Sequence, residues 1–216
     1  MSIAAIDRSI DRSIDRSRVT RIFVWLAAAF AMPACVGAQS PEAEKPAGEQ
    51  IAEAVAAAPT PLQAGATVLG YSGAERQGDP LTVVREGSNE MICLADDPAR
   101  EGFHVACYHR DLDPFMAIGR RGKAAGKSRE EIQNARYAAL ESGELTMPDR
   151  AMLFSITAAD GAFDAATGQA PGARRLAVVY VPNATPEKLG LPPRPEGNAP
   201  WLMLPGTPWA HIMISR

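Results

Sequence analysis

Cys93 and Cys107 constrain this chain more than any other feature, because a bond between them admits only a narrow range of local geometry. Each sits in a short β-like segment, 90–94 and 103–109, and the Asp-Asp-Pro stretch between them is able to turn an antiparallel hairpin. Closing a loop of about 15 residues is worth roughly 3 kcal/mol in the chain-entropy view. The same cysteines also admit a second arrangement, a metal site in which Cys93, His104, Cys107 and His109 supply four ligands. Strand alternation opposes it, since Phe103, Val105, Cys107 and His109 share one face and His104 points to the other.

The compartment decides between the two. Residues 1–38 run from a basic stretch ending in Arg18 and Arg21, through the apolar segment 22–32, to Val36-Gly37-Ala38, the layout of a secretory signal peptide cut before Gln39. The apolar run is too short to cross a bilayer as a helix, which needs roughly 20 residues. A lipoprotein anchored at Cys35 is the competing form, weakened by the rigid Pro33 just before it. In either form Cys35 is removed or acylated, and two cysteines remain in a periplasmic or secreted, oxidising setting, where a disulfide is the expected state. Ahead of the leader, Ile-Asp-Arg-Ser occurs three times over 6–17. That period is far below the roughly 20 to 50 residues of solenoid units, and it reads as a coding duplication upstream of a start near Val19.

Loss of 1–38 takes away five arginines and three aspartates, leaving 17 basic and 22 acidic residues and a net charge of −5. Such a surface repels a phosphate backbone, so nucleic acid is not an expected partner. No transmembrane helix is expected in the mature chain. From 39 to 63 the composition is Ala, Glu, Pro and Gln with scarcely any large apolar side chain, and it reads as a flexible linker carrying at most a short helix at 49–58. The remainder, 64–216, has the size of one ordinary domain.

Within that domain strands are expected at 66–71, 81–85, 90–94, 103–109, 151–157, 176–181 and 210–214. Short helices are expected at 115–121 behind Asp113-Pro114 and after Thr185-Pro186-Glu187. A better helix starts at Ser128-Arg-Glu-Glu131, a capping box, and stops at Gly143. Leu176-Ala-Val-Val-Tyr-Val181 is nearly continuous in apolar residues, as suits a central strand covered on both faces. Strands, then helices, then strands imply a single α+β domain: a mostly antiparallel sheet, two or three helices and one disulfide-stapled hairpin.

Catalytic patterns are sparse. Gly122-Lys-Ala-Ala-Gly126-Lys127-Ser128 has three residues between its glycines where a phosphate-cradling loop needs four, and it reads as a basic connector. There is no Gly-x-Ser-x-Gly elbow and no His-Glu-x-x-His helix. His109 and His211, with Asp111 or Asp113 as carboxylate partners, are the proton-transfer candidates, with His104 completing the set of three histidines. Trp201, Met203 and Trp209 form the candidate ligand patch if they are exposed; if Trp209 is buried, His211 goes inward with it.

Arg85-Glu-Gly-Ser-Asn89 before Cys93, Pro114-Phe-Met-Ala117 after Cys107, and the ending Gly206-Thr-Pro-Trp-Ala-His211-Ile-Met-Ile214 resemble a family of exported bacterial proteins without an established function. The resemblance covers about 64–216 and implies a signal-bearing, cysteine-paired single domain. It implies no activity, cofactor or catalytic residue. The reading is therefore an exported, noncatalytic binding or envelope-associated module. It would take a small ligand or an envelope partner through the C-terminal aromatic region or the hairpin loop, with no cofactor. The alternative is an envelope hydrolase built on His109 or His211 with Asp111 or Asp113, with or without a metal.

Overall fold

The structure is a computed structural model that describes residues 45–71 and 81–215. The expected leader at 1–38, the alternative of an anchor at Cys35 and the first residues of the expected linker lie outside the described residues. Chain order is α1 (Ala47–Val55), α2 (Thr60–Gln63), β1 (Thr67–Gly70), β2 (Thr82–Arg85), β3 (Met91–Leu94) and β4 (Phe103–His109). A 3-10 turn at Arg110–Leu112 leads into α3 (Asp113–Ala124) and α4 (Arg129–Glu141). Then follow β5 (Ala151–Ala158), β6 (Arg174–Tyr180), α5 (Pro186–Leu189), β7 (Trp201–Met203) and β8 (His211–Ser215).

All eight strands join one sheet in the order β2-β1-β3-β4-β5-β6-β8-β7. Only β1 and β3 run parallel; the other neighbours are antiparallel. The exception follows from chain order, because β2 turns back on the outer side of β1 and β3 must then enter on the inner side in β1's own direction. The fold is thus the α+β domain with a mostly antiparallel sheet that the sequence implies, with three helices of two turns or more and two single-turn helices among the described residues.

Strand alternation divides the core into two layers. Phe103, Val105 and Cys107 of β4 face a cluster that includes Ala54 of α1 and Ile156 of β5. Tyr108 of β4 faces the opposite cluster, with Leu112, Phe115, Val178, Tyr180 and Trp209. One face of the sheet is therefore roofed by α1 and the other by α3 and α4. The α4 start is the expected capping box: Glu131 N donates to Ser128 Oγ at 3.2 Å, and Ser128 N donates to Glu131 Oε2 at 2.8 Å. Helices α3 and α4 approach closely because α3 carries glycine at the contact. A Cβ on Gly122 would fall 2.5 Å from Ile132 Cγ1.

The expectation of a flexible linker over 39–63 is corrected where that segment is described. Ala54 is fully buried, Ala56, Ala57 and Ala58 are nearly so, and α1 lies against the disulfide-bearing face, with Ala54 O 3.2 Å from Cys107 Sγ. The Gln50 side chain pairs with the backbone just past the end of β1 as another strand residue would: its Oε1 accepts from Tyr71 N at 2.8 Å and its Nε2 donates to Tyr71 O at 3.0 Å. Counting large apolar residues missed this. Alanine is the strongest helix former, and a helix faced with alanine can approach a sheet closely.

Two further differences are local. Helix α3 is longer than the expected 115–121, since Asp113 and Pro114 already occupy its first turn and the chain stays helical to Ala124. Strand β7 has no counterpart among the strands the sequence implies. Its three residues pair with β8 in register Trp201↔Met213, Leu202↔Ile212 and Met203↔His211, a length too short for any alternation to register in sequence.

Candidate functional site

Cys93 and Cys107 stand directly opposite one another in the β3–β4 register, fully buried, and are joined as a disulfide with Cα atoms 4.0 Å apart. The metal alternative is thereby corrected: the two sulfurs are bonded to each other, and His104 lies on the opposite face of β4 from Cys107. Among the described residues no group of three or more His, Cys, Asp or Glu side chains is placed to hold a metal ion.

The structure does not bring the proton-transfer candidates to one place. His109 ends β4, with Nδ1 3.3 Å from Asp111 N and 3.4 Å from Asp111 Oδ2, and both side chains open to solvent. Asp113 belongs to a different cluster. Its Oδ1 accepts from the buried Tyr108 hydroxyl at 2.9 Å and from Arg120 Nη1 at 2.8 Å, while Arg120 also donates to Tyr108. Burial holds the Tyr108 hydroxyl far above its ordinary range. His211 is on β8, separated from β4 by β5 and β6, and its side chain lies with Tyr180 on the sheet face opposite to that of His109. It is 7 % exposed, with Nδ1 2.8 Å from Trp209 O. Burial lowers its pKa, partly opposed by that carbonyl.

The C-terminal aromatic patch is not an open surface either. Trp209 is buried, with its ring 4.7 Å from Phe115 and 5.5 Å from Tyr137. His211 goes inward with it, as the shared direction of the two side chains requires. Trp201 and Met203 are half-buried on the edge strand β7. The Trp209 Nε1 has no hydrogen-bond partner of ordinary geometry, although the Tyr180 hydroxyl is near enough to feel it.

The hairpin loop, by contrast, borders a cleft. A cavity of about 590 Å³ opens between the 95–102 loop, the C-terminal turns of α3 and the α3-facing side of β3 and β4. Apolar lining comes from Leu94, Ala95, Ala106 and Ala124, and charge from Arg100, Arg120, Lys123 and Asp97, with His104 among them. The size and the mixture of an apolar lining with a few polar groups are those of small-molecule sites, which span roughly 300–1,000 Å³. Sheet register extends the charged row. His104 pairs with Thr157 and Thr157 with Arg174, so Arg174 stands two strands away on the same face.

His104 reports the electrostatics of this cleft. Its Nδ1 lies 3.0 Å from Thr157 Oγ1, and its pKa is lowered to about 4 by burial first and then by Arg100, Lys123 and Arg174. Lys123 reaches solvent, yet the protein packed round it and the nearby Arg100, Arg136 and Arg129 lower its pKa, with Asp97 acting the other way. Arg120 is neutralised by Asp113. Among the described residues neither Arg100 nor Lys123 has a carboxylate within ion-pair distance.

This predicts a pH dependence. Between the unfolded pKa of 6.5 and the folded value of about 4 the unfolded chain binds a proton at His104 that the folded chain does not. Stability therefore rises with pH through that window and falls on acidification, by about 2 kcal/mol once residual exposure is discounted. His211 contributes with the same sign. Urea midpoints at several pH values between 4 and 7 should show the slope, and His104→Gln should make it shallower; an unchanged slope in the variant would contradict the assignment.

Sequence reasoning did not single out Arg100, Arg120 or Lys123. The only trace was the basic character of the connector after Gly122, and the separation of Arg100 from Lys123 along the chain hid their meeting. No protein-family model, curated protein or solved structure matches this chain. Its class is set by geometry alone: an α+β domain with a disulfide-held hairpin overhanging an open cleft.

Proposed function

We propose that the mature chain is an exported, noncatalytic module that binds a small molecule in the cleft beneath the 95–102 loop. The observation that carries this reading is the convergence of an apolar lining with unpaired cations in one cavity of ligand size. Export, to the periplasm or beyond the cell, is supported by the leader pattern at 1–38 and by the disulfide, which persists in oxidising compartments. Retention at the membrane through an acylated Cys35 is the variant form of the same proposal, as is membership of the exported family that the 206–214 segment resembles. Among the described residues no helix is long and apolar enough to cross a membrane.

The hydrolase reading has less support. His109 and His211 lie on opposite faces of the sheet with two strands between theirs, and His211 is already engaged by a backbone carbonyl.

Filling the cleft tests the binding reading. Ala124→Trp, at the end of α3, should place an indole in the cavity and abolish binding of ligands that the unmodified protein retains through purification, read by native mass spectrometry. The disulfide and the circular dichroism of the fold should be unaltered. Retention of the same ligand mass by the variant would contradict the assignment of the cleft.

A further inference from the structure

We infer that the cleft selects a small amphiphilic anion, a compact negatively charged head such as a carboxylate joined to an aliphatic body. The inference rests on the reading of the cleft as a ligand site and adds the ligand's chemical class. Three observations converge on it.

The first is charge without compensation. Although the mature chain carries net negative charge, the cleft holds Arg100, Arg120 and Lys123 against one carboxylate, Asp97, and Arg174 joins them across the sheet. Arg120 is committed to Asp113, so Arg100 and Lys123 are the cations left to meet a ligand. Two cations held together without a counter-ion cost stability, and an anion between them relieves that cost. The position of Lys123 in the last turn of α3 is favourable for the helix dipole by itself. Arg100 has no such explanation, because it belongs to the hairpin loop on the other side of the cavity.

The second is the lining. Leu94, Ala95, Ala106 and Ala124 offer aliphatic contact beside the cations, so a bare inorganic ion would leave most of the cavity wet, whereas an alkyl chain would fill it. The third is His104. Held neutral by its surroundings, it presents an imidazole that can donate to an anion from one ring nitrogen while the other stays with Thr157 Oγ1.

Isothermal titration of the disulfide-intact mature protein with octanoate, octanol and octylamine tests the inference, with Arg100→Gln/Lys123→Gln as the paired variant. Both replaced side chains reach solvent and make no ion pair among the described residues, and their mutual repulsion is removed with them, so the variant should unfold at a temperature no lower than that of the unmodified protein. Octanoate should bind the unmodified protein more tightly than octanol, and octylamine should not bind. The double variant should lose at least about tenfold in octanoate affinity, and salt should weaken octanoate binding to the unmodified protein. Equal affinity for octanol and octanoate, or octanoate binding untouched by the double substitution, overturns the anion inference and leaves the cleft as a ligand site. If none of the three binds, both readings fail.

Discussion

Trp209→Ala should cost about 3–5 kcal/mol of folding stability, the range for deleting a large aromatic side chain from a packed interior. Trp209 is 8 % exposed and lies where three parts of the fold meet: the turn before β8, the Phe115 end of α3, and Tyr137 of α4. The Arg136 guanidinium carbon is 4.2 Å from the Phe115 ring and 5.3 Å from the Trp209 ring, while Arg136 Nε donates to Phe115 O at 3.2 Å. Removing the indole thus opens a cavity and takes one of two aromatic faces from a partly buried cation. Trp209→Phe should cost far less, about 1 kcal/mol, because the indole N–H that is lost has no hydrogen-bond partner of ordinary geometry. Urea unfolding of the two variants beside the unmodified protein gives the comparison. Equal losses would mean that the polar end of the indole, and not its bulk, is what the fold uses.

Replacing Cys93 and Cys107 together by alanine should lower stability by about 3 kcal/mol, through release of the unfolded chain from a closed loop of about 15 residues. Both positions are fully buried among Val105, Ala54 and Val68, so alanine adds only a modest packing loss. The loop entropy is the larger part. The consequence for function is positional. The bridge fixes the two strands that carry the 95–102 loop, and that loop carries Arg100 and Asp97 to the edge of the cleft. Because the bridge is fully buried, reduction has to be done on the unfolded chain; refolded with reductant present, the protein should come close to the stability of the double variant and bind ligand more weakly in parallel. A reduced protein with undiminished stability would show that the sheet alone holds the hairpin.

Much of the fold is legible in sequence wherever a local rule is strong. The alternation in 103–109 places Cys107 and His104 on opposite faces without further information, and Ser128 with Glu131 marks the start of α4 to the residue. The cysteine pair identifies the β3–β4 hairpin because chemistry and strand pattern point to the same answer. What sequence did not yield depends on tertiary context. The alanines of 54–58 look too small to build a core, yet they are buried because they pack against a face of the sheet. The parallel β1–β3 pair and the short β7 follow from which edges are left open, and no periodicity encodes that. At the candidate site the limits are of the same kind. Trp201, Met203 and Trp209 attract notice as large apolar residues near one another, but one of them is core and two lie on an edge strand. The cations of the cleft come from a loop and a helix end that meet only in the folded chain.

If Arg100, Lys123 and Arg174 bear on His104 in a cleft that takes an anion, the His104 ring followed by NMR, alone and with octanoate, should titrate at about 4 in the free protein and shift clearly upward when the anion enters, since bound negative charge offsets those cations. A ring that titrates near the ordinary histidine value of 6.5 in the free protein, with no response to the ligand, would contradict that arrangement.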